Sequence, residues 1–360
     1  MQILHIDTGR LMRGGQAQLM MLMRGLRNRG HFQTLACLPG SQLARAAIEE
    51  GFYTLWIDRR YWPALESIRR FLHATKHDIV AAHDARAQTI SFLATMGTGI
   101  VRTADRLVAF QPRNRLTHFL KYTFTCDIVI ASSLAVKDTM LRNGVASKHI
   151  EVIRGGIEFP QELPDRTEAR ARMRAKWKLA PDDFVIGHLA AFTSEKGQLD
   201  ALKALVDLMP RHPNLRMILA GDGPLRDHPQ IKAKARAAKG AAQIPGYIKP
   251  DDDFYAGLDL FLANSTSEAL GLAPLYAMAH QVPVIASDVG GLREVVGDYG
   301  WLIPPSDPDA VARAIENAMS NPAQLSERGR LAREHARRFS ATKNVELTEA
   351  LYRKLLQVKR

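Results

Sequence analysis

Short apolar runs alternate along the chain with longer segments in which apolar residues recur every three or four positions. The short runs predict buried strands, and the longer segments predict amphipathic helices. Strands are predicted at residues 2–6, 34–38, 54–57, 78–82, 99–103, 128–131, 150–153, 184–189, 215–220, 243–245 and 282–287. Helices are predicted between them, and the pattern after residue 307 is helical with a break near Phe339. Such alternation predicts an α/β fold in which helices cover both faces of a parallel sheet.

The alternation is interrupted after the Gly155–Gly156 pair, because residues 159–165 contain two prolines and no apolar period. A segment of this composition predicts a linker. We therefore predict two Rossmann-like, doubly wound domains, one over residues 1–160 and one over residues 161–337, with a terminal helix at 338–360. Two such domains facing each other would place strand carboxyl ends and helix N-termini on both sides of a cleft, where ligands bind.

The stretch from Asn264 to Val296 carries the strongest signal for a binding site. Glu268 precedes Gly271, and an apolar helical pattern starts directly after that glycine. Further on, the Gly290–Gly291 pair predicts a tight turn into a helix that starts near Leu292. Because a helix N-terminus favours anions, exposed N–H groups beside the Glu268 carboxylate suit a sugar attached to a phosphate.

Two other helix starts offer groups for a phosphate. Gly14 and Gly15 predict a turn that opens a helix in the first domain, and Lys196 with Gly197 opens a helix in the second. Lys196 would place a cation where the helix dipole already favours an anion. Each signal alone is more often structural, so the prediction of a diphosphate site depends on their combination with Glu268.

Composition agrees with an ordinary globular protein. The chain has 360 residues, of which 46% are hydrophobic, and this suffices for two cores. Cys37 and Cys126 have neither metal nor redox spacing, which favours a reducing compartment. The N-terminus begins with a predicted strand instead of a signal peptide, and no apolar run approaches the roughly 20 residues of a membrane span. We expect a cytoplasmic protein.

The charge is distributed unevenly. Residues 1–160 carry 21 basic and 12 acidic side chains, whereas residues 161–360 carry 28 and 25. A basic surface can meet nucleic acid, anionic lipid or a phosphorylated substrate, or it can be solvated without a partner. Zinc-ligand spacing and an aromatic-rich RNA-binding strand are both missing from the sequence, so nucleic acid is the less favoured partner. We expect peripheral contact with an anionic membrane, on the cytoplasmic face of the inner membrane.

Five segments, in this order, resemble those of the family 4 retaining glycosyltransferases of group 1 type, which have the two-domain GT-B fold. They are MQILHIDTGRLMRGGQAQLMMLMRGLRNRGH, AVKDTMLRNGVASKHIEVIRGGI, IGHLAAFTSEKGQ, RMILAGDGP and SEALGLAPLYAMAHQVPVIASDVGGLREVV. The resemblance implies that the C-terminal domain binds a nucleotide-sugar donor, usually a UDP-sugar, and that the N-terminal domain receives the acceptor. It implies that residues 340–358 pack back on residues 1–155. The expected acceptor is a glycan or a lipid-linked molecule, such as lipopolysaccharide or cell-surface polysaccharide.

The same resemblance implies roles for the residues of the 264–296 stretch. Glu268 matches a carboxylate that binds hydroxyls of the donor sugar. The N–H groups of Leu272 and Ala273, directly after Gly271, would meet the sugar phosphate. Lys196 matches a lysine that binds phosphate.

Further positions are implied elsewhere in the chain. Gly15, next to Gly14, matches a glycine whose backbone approaches the phosphates from the first domain. Tyr247 lies where the family lines the base pocket. His83 matches a position near the reacting sugar and the acceptor, although a histidine at a strand end can equally be a structural residue whose hydrogen bonds are satisfied.

The sequence departs from the family pattern at three positions. Tyr276 replaces a second glutamate, which binds ribose hydroxyls in the family, so the ribose is expected to be held differently. Ala191 stands where an arginine often binds phosphate. Asp105 stands where many members have a histidine near the reaction centre. It could orient an acceptor hydroxyl or a sugar, or it could cap the following turn.

The chemistry implied is glycosyl transfer with retention at the anomeric carbon, without a cofactor or a metal ion. Helix N-termini and Lys196 would stabilise the charge that develops on the leaving diphosphate. Asp251–Asp253 follow a proline and predict a helix cap instead of metal ligands. Two alternatives stay open. One is another GT-B enzyme, such as a nucleotide-sugar epimerase or a phosphorylase, and the other is a non-catalytic sugar-nucleotide-binding or scaffold protein.

Overall fold

The computed structural model describes residues 1–107 and 114–359. The chain divides into two units, one made of Met1–Glu158 together with the segment that begins at Phe339, the other of Phe159–Arg338. The units change between Glu158 and Phe159 and again between Arg338 and Phe339, close to the domain boundaries predicted at residues 160 and 337.

The first unit is built on a seven-stranded parallel sheet with the order β3-β2-β1-β4-β5-β6-β7. Its strands are β1 (Gln2–Asp7), β2 (Phe32–Cys37), β3 (Tyr53–Trp56), β4 (Ile79–Ala82), β5 (Val101–Arg106), β6 (Ile128–Ala131) and β7 (Ile150–Val152). Its helices are α1 (Gly14–Asn28), α2 (Gln42–Glu49), α3 (Tyr61–Ala74), α4 (Ala85–Ala94), α5 (Arg115–Phe124), α6 (Leu134–Arg142) and the C-terminal helix (Ala341–Lys359). The strand order reverses between β1 and β4, and doubly wound sheets bind ligands at such a switch point.

The second unit is built on a six-stranded parallel sheet with the order β10-β9-β8-β11-β12-β13. Its strands are β8 (Phe184–Leu189), β9 (Leu215–Ala220), β10 (Ala242–Gly246), β11 (Leu260–Ala263), β12 (Val284–Ser287) and β13 (Trp301–Ile303). Its helices are α7 (Arg166–Trp177), α8 (Gln198–Leu208), α9 (Pro229–Ala237), α10 (Asp252–Gly257), α11 (Leu272–Ala279), α12 (Gly290–Val296), α13 (Pro308–Ser320) and α14 (Pro322–Ala336). Here the order reverses between β8 and β11. The prediction of two parallel α/β sheets is confirmed.

The predicted turn at Gly14 and Gly15 is wrong, because both residues belong to the first turn of α1. A Cβ atom at Gly15 would lie 2.9 Å from Cδ1 of Leu107, the residue that follows β5. This is a close approach to the tip of a flexible side chain, which could shift to admit a Cβ atom. The sequence pattern could not show it, because Leu107 is far from Gly15 along the chain.

The C-terminal helix is anchored in the first unit by apolar and ionic contacts. Val345, Leu351 and Tyr352 are buried in a cluster with residues of β1 and α1. Beside them the Glu349 carboxylate accepts hydrogen bonds from Arg29 Nη1 at 2.9 Å and from Arg353 Nη2 at 2.7 Å. Its other contact is His31 Nε2 at 3.0 Å.

Replacing Glu349 by glutamine is expected to destabilise the first unit by roughly 2 kcal/mol at neutral pH, because hydrogen bonds to a charged group are lost. The hydrogen bond from Arg353, joined by those from His31 and Arg29, lowers the pKa of Glu349 from its usual 4.5 to about 2. A lowered folded-state pKa gives stability that is present above about 4.5 and is lost as pH falls towards about 2. Urea unfolding at neutral and acidic pH should therefore show a difference that shrinks in acid.

Glu346 provides the matched control for this prediction. It lies on the same helix, its side chain is 44% exposed, and it contacts Arg29 at 3.4 Å. An exposed ion pair of this kind contributes about 0–1 kcal/mol. Equal effects of Glu346→Gln and Glu349→Gln would contradict the anchoring role of Glu349.

Candidate functional site

Two loops meet at the switch point of the second sheet. One follows β8 and ends at Gly197, and the other follows β11 and leads to α11. The Asn264 side-chain amide donates a hydrogen bond to the Gly197 carbonyl at 2.8 Å, and the Thr266 N–H donates to the Glu195 carbonyl at 2.8 Å. These bonds tie the loops together although they are far apart in sequence.

Lys196 and Glu268 are brought into direct contact by these loops. Lys196 Nζ lies 2.6 Å from Glu268 Oε2, and the two side chains are 19% and 23% exposed. The Lys196 carbonyl is 3.1 Å from Nε2 of His188, whose burial lowers its pKa to about 4. A neutral, buried histidine thus fixes the backbone of the lysine. The structure brings together the two side chains on which the predicted donor site depends.

Glycines hold the backbone on the other side of Glu268. The Gly291 N–H donates to the Glu268 carbonyl at 3.0 Å. α12 begins at Gly290, two residues before the predicted start, and a Cβ atom there would collide with the same carbonyl. Gly271 has φ 99°, a left-handed conformation that favours glycine, and it caps α11.

The first turn of α11 starts at Leu272, directly after this glycine. The N–H groups of Leu272 and Ala273 belong to the first four of the helix, which have no acceptor within it. The Glu268 carboxylate thus contacts the Lys196 ammonium group, and the start of α11 follows Glu268 by four residues.

Tyr276 lies one turn along α11 and belongs to an aromatic stack. Its ring lies 5.8 Å from that of Tyr255, with an angle of 20° between the planes, and Tyr255 lies 5.2 Å from the ring of His280. Tyr276 was identified from the sequence, whereas its neighbours in the stack, Tyr255 and His280, were not predicted. Stacking keeps the ring in place against the buried side of the helix.

Tyr247, assigned to the base pocket, is 72% exposed in the loop after β10. A cavity of about 280 Å³ lies beside the next residues of this loop and is lined by Lys176, Trp177, Ile248, Lys249, Pro250, Asp251 and Phe254.

The helix cap predicted at Asp251–Asp253 is confirmed, since Asp251 Oδ1 accepts a hydrogen bond from the Phe254 N–H at 2.8 Å.

The switch point of the first sheet holds a buried polar chain that includes two predicted residues. His83 Nδ1 lies 2.7 Å from Asp105 Oδ2, and His83 Nε2 lies 2.9 Å from His5 Nδ1. His5 Nε2 in turn lies 3.1 Å from Oε1 of Gln33. His5 and Gln33 were not predicted, although His5 is a polar residue between apolar residues of the first predicted strand.

Strand register explains this chain. Ala82 of β4 pairs with Ala104 of β5, so His83 and Asp105, one residue further on, are neighbours. His5 of β1 lies two positions after Ile3, which pairs with Gln33 of β2. Because side chains alternate between the faces of a sheet, all four polar side chains point to the same face.

Burial and neighbouring charges shift the pKa values of these groups in opposite directions. Burial and then the charge of His83 hold the pKa of His5 well below its usual value. Burial opposes a charge on His83, but Asp105, Asp7 and Asp84 together raise the pKa of that imidazole. A proton is therefore favoured on His83 over His5.

Within residues 1–107 and 114–359, no group of three or more His, Cys, Asp or Glu side chains is arranged to hold a metal ion. The turn that Asp105 was alternatively expected to cap extends into residues 108–113, outside the described part of the chain. Cys37 and Cys126 are buried free thiols.

The fold is shared with solved structures. HepE of Anabaena, solved in complex with UDP, superimposes with a TM-score of 0.87 over 98% of this chain and 99% of HepE, at 19% identity. The likeness shows the fold, and with the two parallel sheets it confirms the predicted GT-B class of two Rossmann-like domains.

Sequence comparisons identify the family. A model of glycosyl transferases group 1 matches residues 169–339, and a model of glycosyltransferase family 4 matches residues 12–159. The chain belongs to the family 4, group 1 glycosyltransferases, as its motifs predicted.

Curated relatives match part of the chain. EpsD of Bacillus subtilis is 31% identical over 199 residues, which are 55% of this chain and 52% of EpsD. The lipopolysaccharide core biosynthesis mannosyltransferase LpcC of Rhizobium leguminosarum bv. viciae is 29% identical over 185 residues, 49% of this chain and 52% of LpcC. The chain thus spans about half the length of these relatives.

Proposed function

We propose that the protein is a retaining glycosyltransferase that moves a sugar, a hexose by preference, from a nucleotide-sugar donor to a glycan or lipid-linked acceptor. A UDP-sugar is the favoured donor. The observation that carries the proposal is the contact between Lys196 and Glu268 beside the start of α11. HepE binds UDP, and LpcC is named for lipopolysaccharide core biosynthesis, which supports these donor and acceptor classes.

The reaction that we propose needs no metal ion or cofactor. As the bond between the anomeric carbon and the diphosphate breaks, its electron pair leaves with the diphosphate. Lys196 and the N–H groups at the start of α11 stabilise the negative charge that develops there. Glu268 accepts hydrogen bonds from sugar hydroxyls, and the acceptor oxygen forms the new bond on the same face of the sugar while its proton passes to the leaving phosphate.

Calorimetric titration against a panel of nucleotide sugars, with and without Mg²⁺, tests this donor site. We expect one site per chain, tighter binding of a uridine nucleotide than of its adenine and guanine analogues, and no requirement for the metal. Absence of binding to every member of the panel would contradict the proposal.

A surface of the protein that contacts a membrane would suit the lipid-linked acceptor that we propose. Leu116, Leu120 and Phe124 lie four residues apart on α5 and are 64%, 45% and 59% exposed, so they form an apolar stripe. Arg115, the residue before Leu116, is exposed, and its guanidinium donates to the carbonyl of Arg142, which is also exposed. None of the helices in the described ranges has the length and apolarity needed to cross a bilayer. An apolar face with basic neighbours suits peripheral contact with anionic lipid, which we propose to be the cytoplasmic leaflet.

Flotation with phosphatidylglycerol-containing vesicles tests this surface. The wild-type protein is expected to float at about 50 mM salt and less at about 500 mM, because salt screens the attraction. Replacing the three stripe residues by asparagine should lower the bound fraction roughly 10-fold or more, since apolar burial is lost. Ile48→Asn is the matched control, because Ile48 is 52% exposed on α2. Equal flotation of the triple variant and the wild type would remove the stripe from the proposal.

A further inference from the structure

The polar chain at the switch point of the first sheet has acceptors at both of its ends. At one end the amide nitrogen of Gln33 donates to the Met23 carbonyl at 2.8 Å. This bond fixes the orientation of the amide, so that its oxygen faces His5 Nε2. At the other end stands the carboxylate of Asp105.

The acceptors at the two ends of the chain determine how many protons the His5 and His83 rings carry. A hydrogen bond to Gln33 requires a proton on His5 Nε2, and a hydrogen bond to Asp105 requires one on His83 Nδ1. The contact of 2.9 Å between His5 Nδ1 and His83 Nε2 requires one more, carried by either ring. Three protons on the four ring nitrogens leave the pair with one positive charge.

The surroundings place this charge on His83. Asp105 contacts its ring, and Asp7 and Asp84 lie near it, whereas His5 faces only the neutral Gln33 on its far side. Asp7 is itself held by the Gly9 N–H and by Gln16. From the C-terminal helix comes Tyr352, whose phenol is kept neutral because burial and the charge of Asp105 raise its pKa.

We propose that Gln33 and His5 are positioning residues that hold His83 as a buried imidazolium, which in turn fixes Asp105 as an aligned carboxylate that accepts a hydrogen bond from a substrate hydroxyl. Asp105 suits this role because its side chain is 16% exposed while that of His83 is 2% exposed. Both nitrogens of His83 are engaged by protein groups, so the histidine acts through Asp105. The hydroxyl contact rests on the proposed glycosyl transfer, whereas the charge on His83 does not.

Histidine ¹⁵N NMR of the full-length protein tests the charge, with His83→Gln used to assign the signals. At about pH 7.5 the wild-type pair is expected to include one doubly protonated ring. Gln33→Met keeps the length of the side chain but removes the acceptor for His5, so that two protons suffice and the pair becomes neutral at the same pH. Gln2→Met, at an exposed position of β1, is the control and should resemble the wild type.

A neutral wild-type pair at pH 7.5, or an unchanged spectrum in Gln33→Met, would overturn the proposal. If Gln33→Met fails to fold, the protonation state of the wild-type pair decides alone. Gln33→Met does not touch Asp105, so a change of charge on His83 in this variant reports on the chain itself.

The pH profile of turnover provides a second readout. Activity that depends on the charged pair is lost as pH rises through its pKa, so Gln33→Met should move the alkaline limb of kcat lower by at least about one pH unit. The donor KM should stay within about twofold. An unmoved limb would overturn the positioning role. If no nucleotide sugar is turned over by the wild type, the proposed function fails while the NMR result still decides the charge on His83.

Discussion

Lys196→Ala is expected to lower kcat/KM for the nucleotide-sugar donor by roughly 10²–10³-fold, the effect of removing one preorganised group that stabilises developing negative charge. The ammonium group is held in place by the His188 contact to its backbone and by Glu268. Its removal takes away the cation that we assign to the diphosphate and leaves the Glu268 carboxylate without the ammonium group that it contacts. Steady-state kinetics with the preferred donor measures the effect.

Lys203→Ala is the control for this variant. Lys203 lies on α8 of the same unit, where its ammonium group pairs with Asp200 at 3.0 Å. The control removes the same charge and should retain wild-type kinetics. If both variants lose activity alike, net charge is responsible, and the assignment of Lys196 to the diphosphate is wrong.

Glu268→Gln is expected to lower kcat by roughly 10²-fold while leaving the affinity for the free nucleoside diphosphate equal or higher. The carboxylate loses its charge-assisted hydrogen bonds to sugar hydroxyls, each worth about 1.5–3 kcal/mol. At the same time Lys196 loses the anion that it contacts at 2.6 Å and becomes more available to phosphate. Kinetics with the sugar donor and calorimetry with the diphosphate alone separate these two effects.

The control here is Glu316→Gln, because Glu316 lies on α13 and pairs with Arg211 at 2.9 Å. It should change neither quantity. A Glu268→Gln variant that binds the diphosphate more weakly but turns over normally would reverse the roles assigned to the lysine and the glutamate.

The meeting of Lys196 with Glu268 was predictable from sequence because each follows a strand of a parallel sheet. The carboxyl ends of such strands lie along one edge, and the sequence resemblance aligned both residues with a donor site. The hydrogen bonds that tie the two loops, from Asn264 and Thr266, were not predictable, because they depend on which strands are neighbours. Local periodicity describes one strand at a time and does not give the strand order.

The same limit explains the polar chain of the first sheet. His5 stands between apolar residues of β1, whereas Gln33 is followed by the polar Thr34 near the start of β2. Their relation to His83 appears only once β2, β1, β4 and β5 stand in order and in register. The structural reason for a glycine was likewise not readable from the local sequence. Gly290 and Gly291 are explained by the carbonyls of Glu268 and Ala269, which a Cβ atom at either position would overlap, and neither contact is local in sequence.

Glycosyl transfer with retention can be tested by following the reaction of a nucleotide sugar by NMR in the presence and absence of an acceptor glycan or glycolipid. We expect that a new glycoside forms only when the acceptor is present, with one nucleoside diphosphate released for each glycoside and with the anomeric configuration of the donor kept. An epimerised sugar formed without acceptor, a product of inverted configuration, or no glycoside with any donor that binds would contradict it.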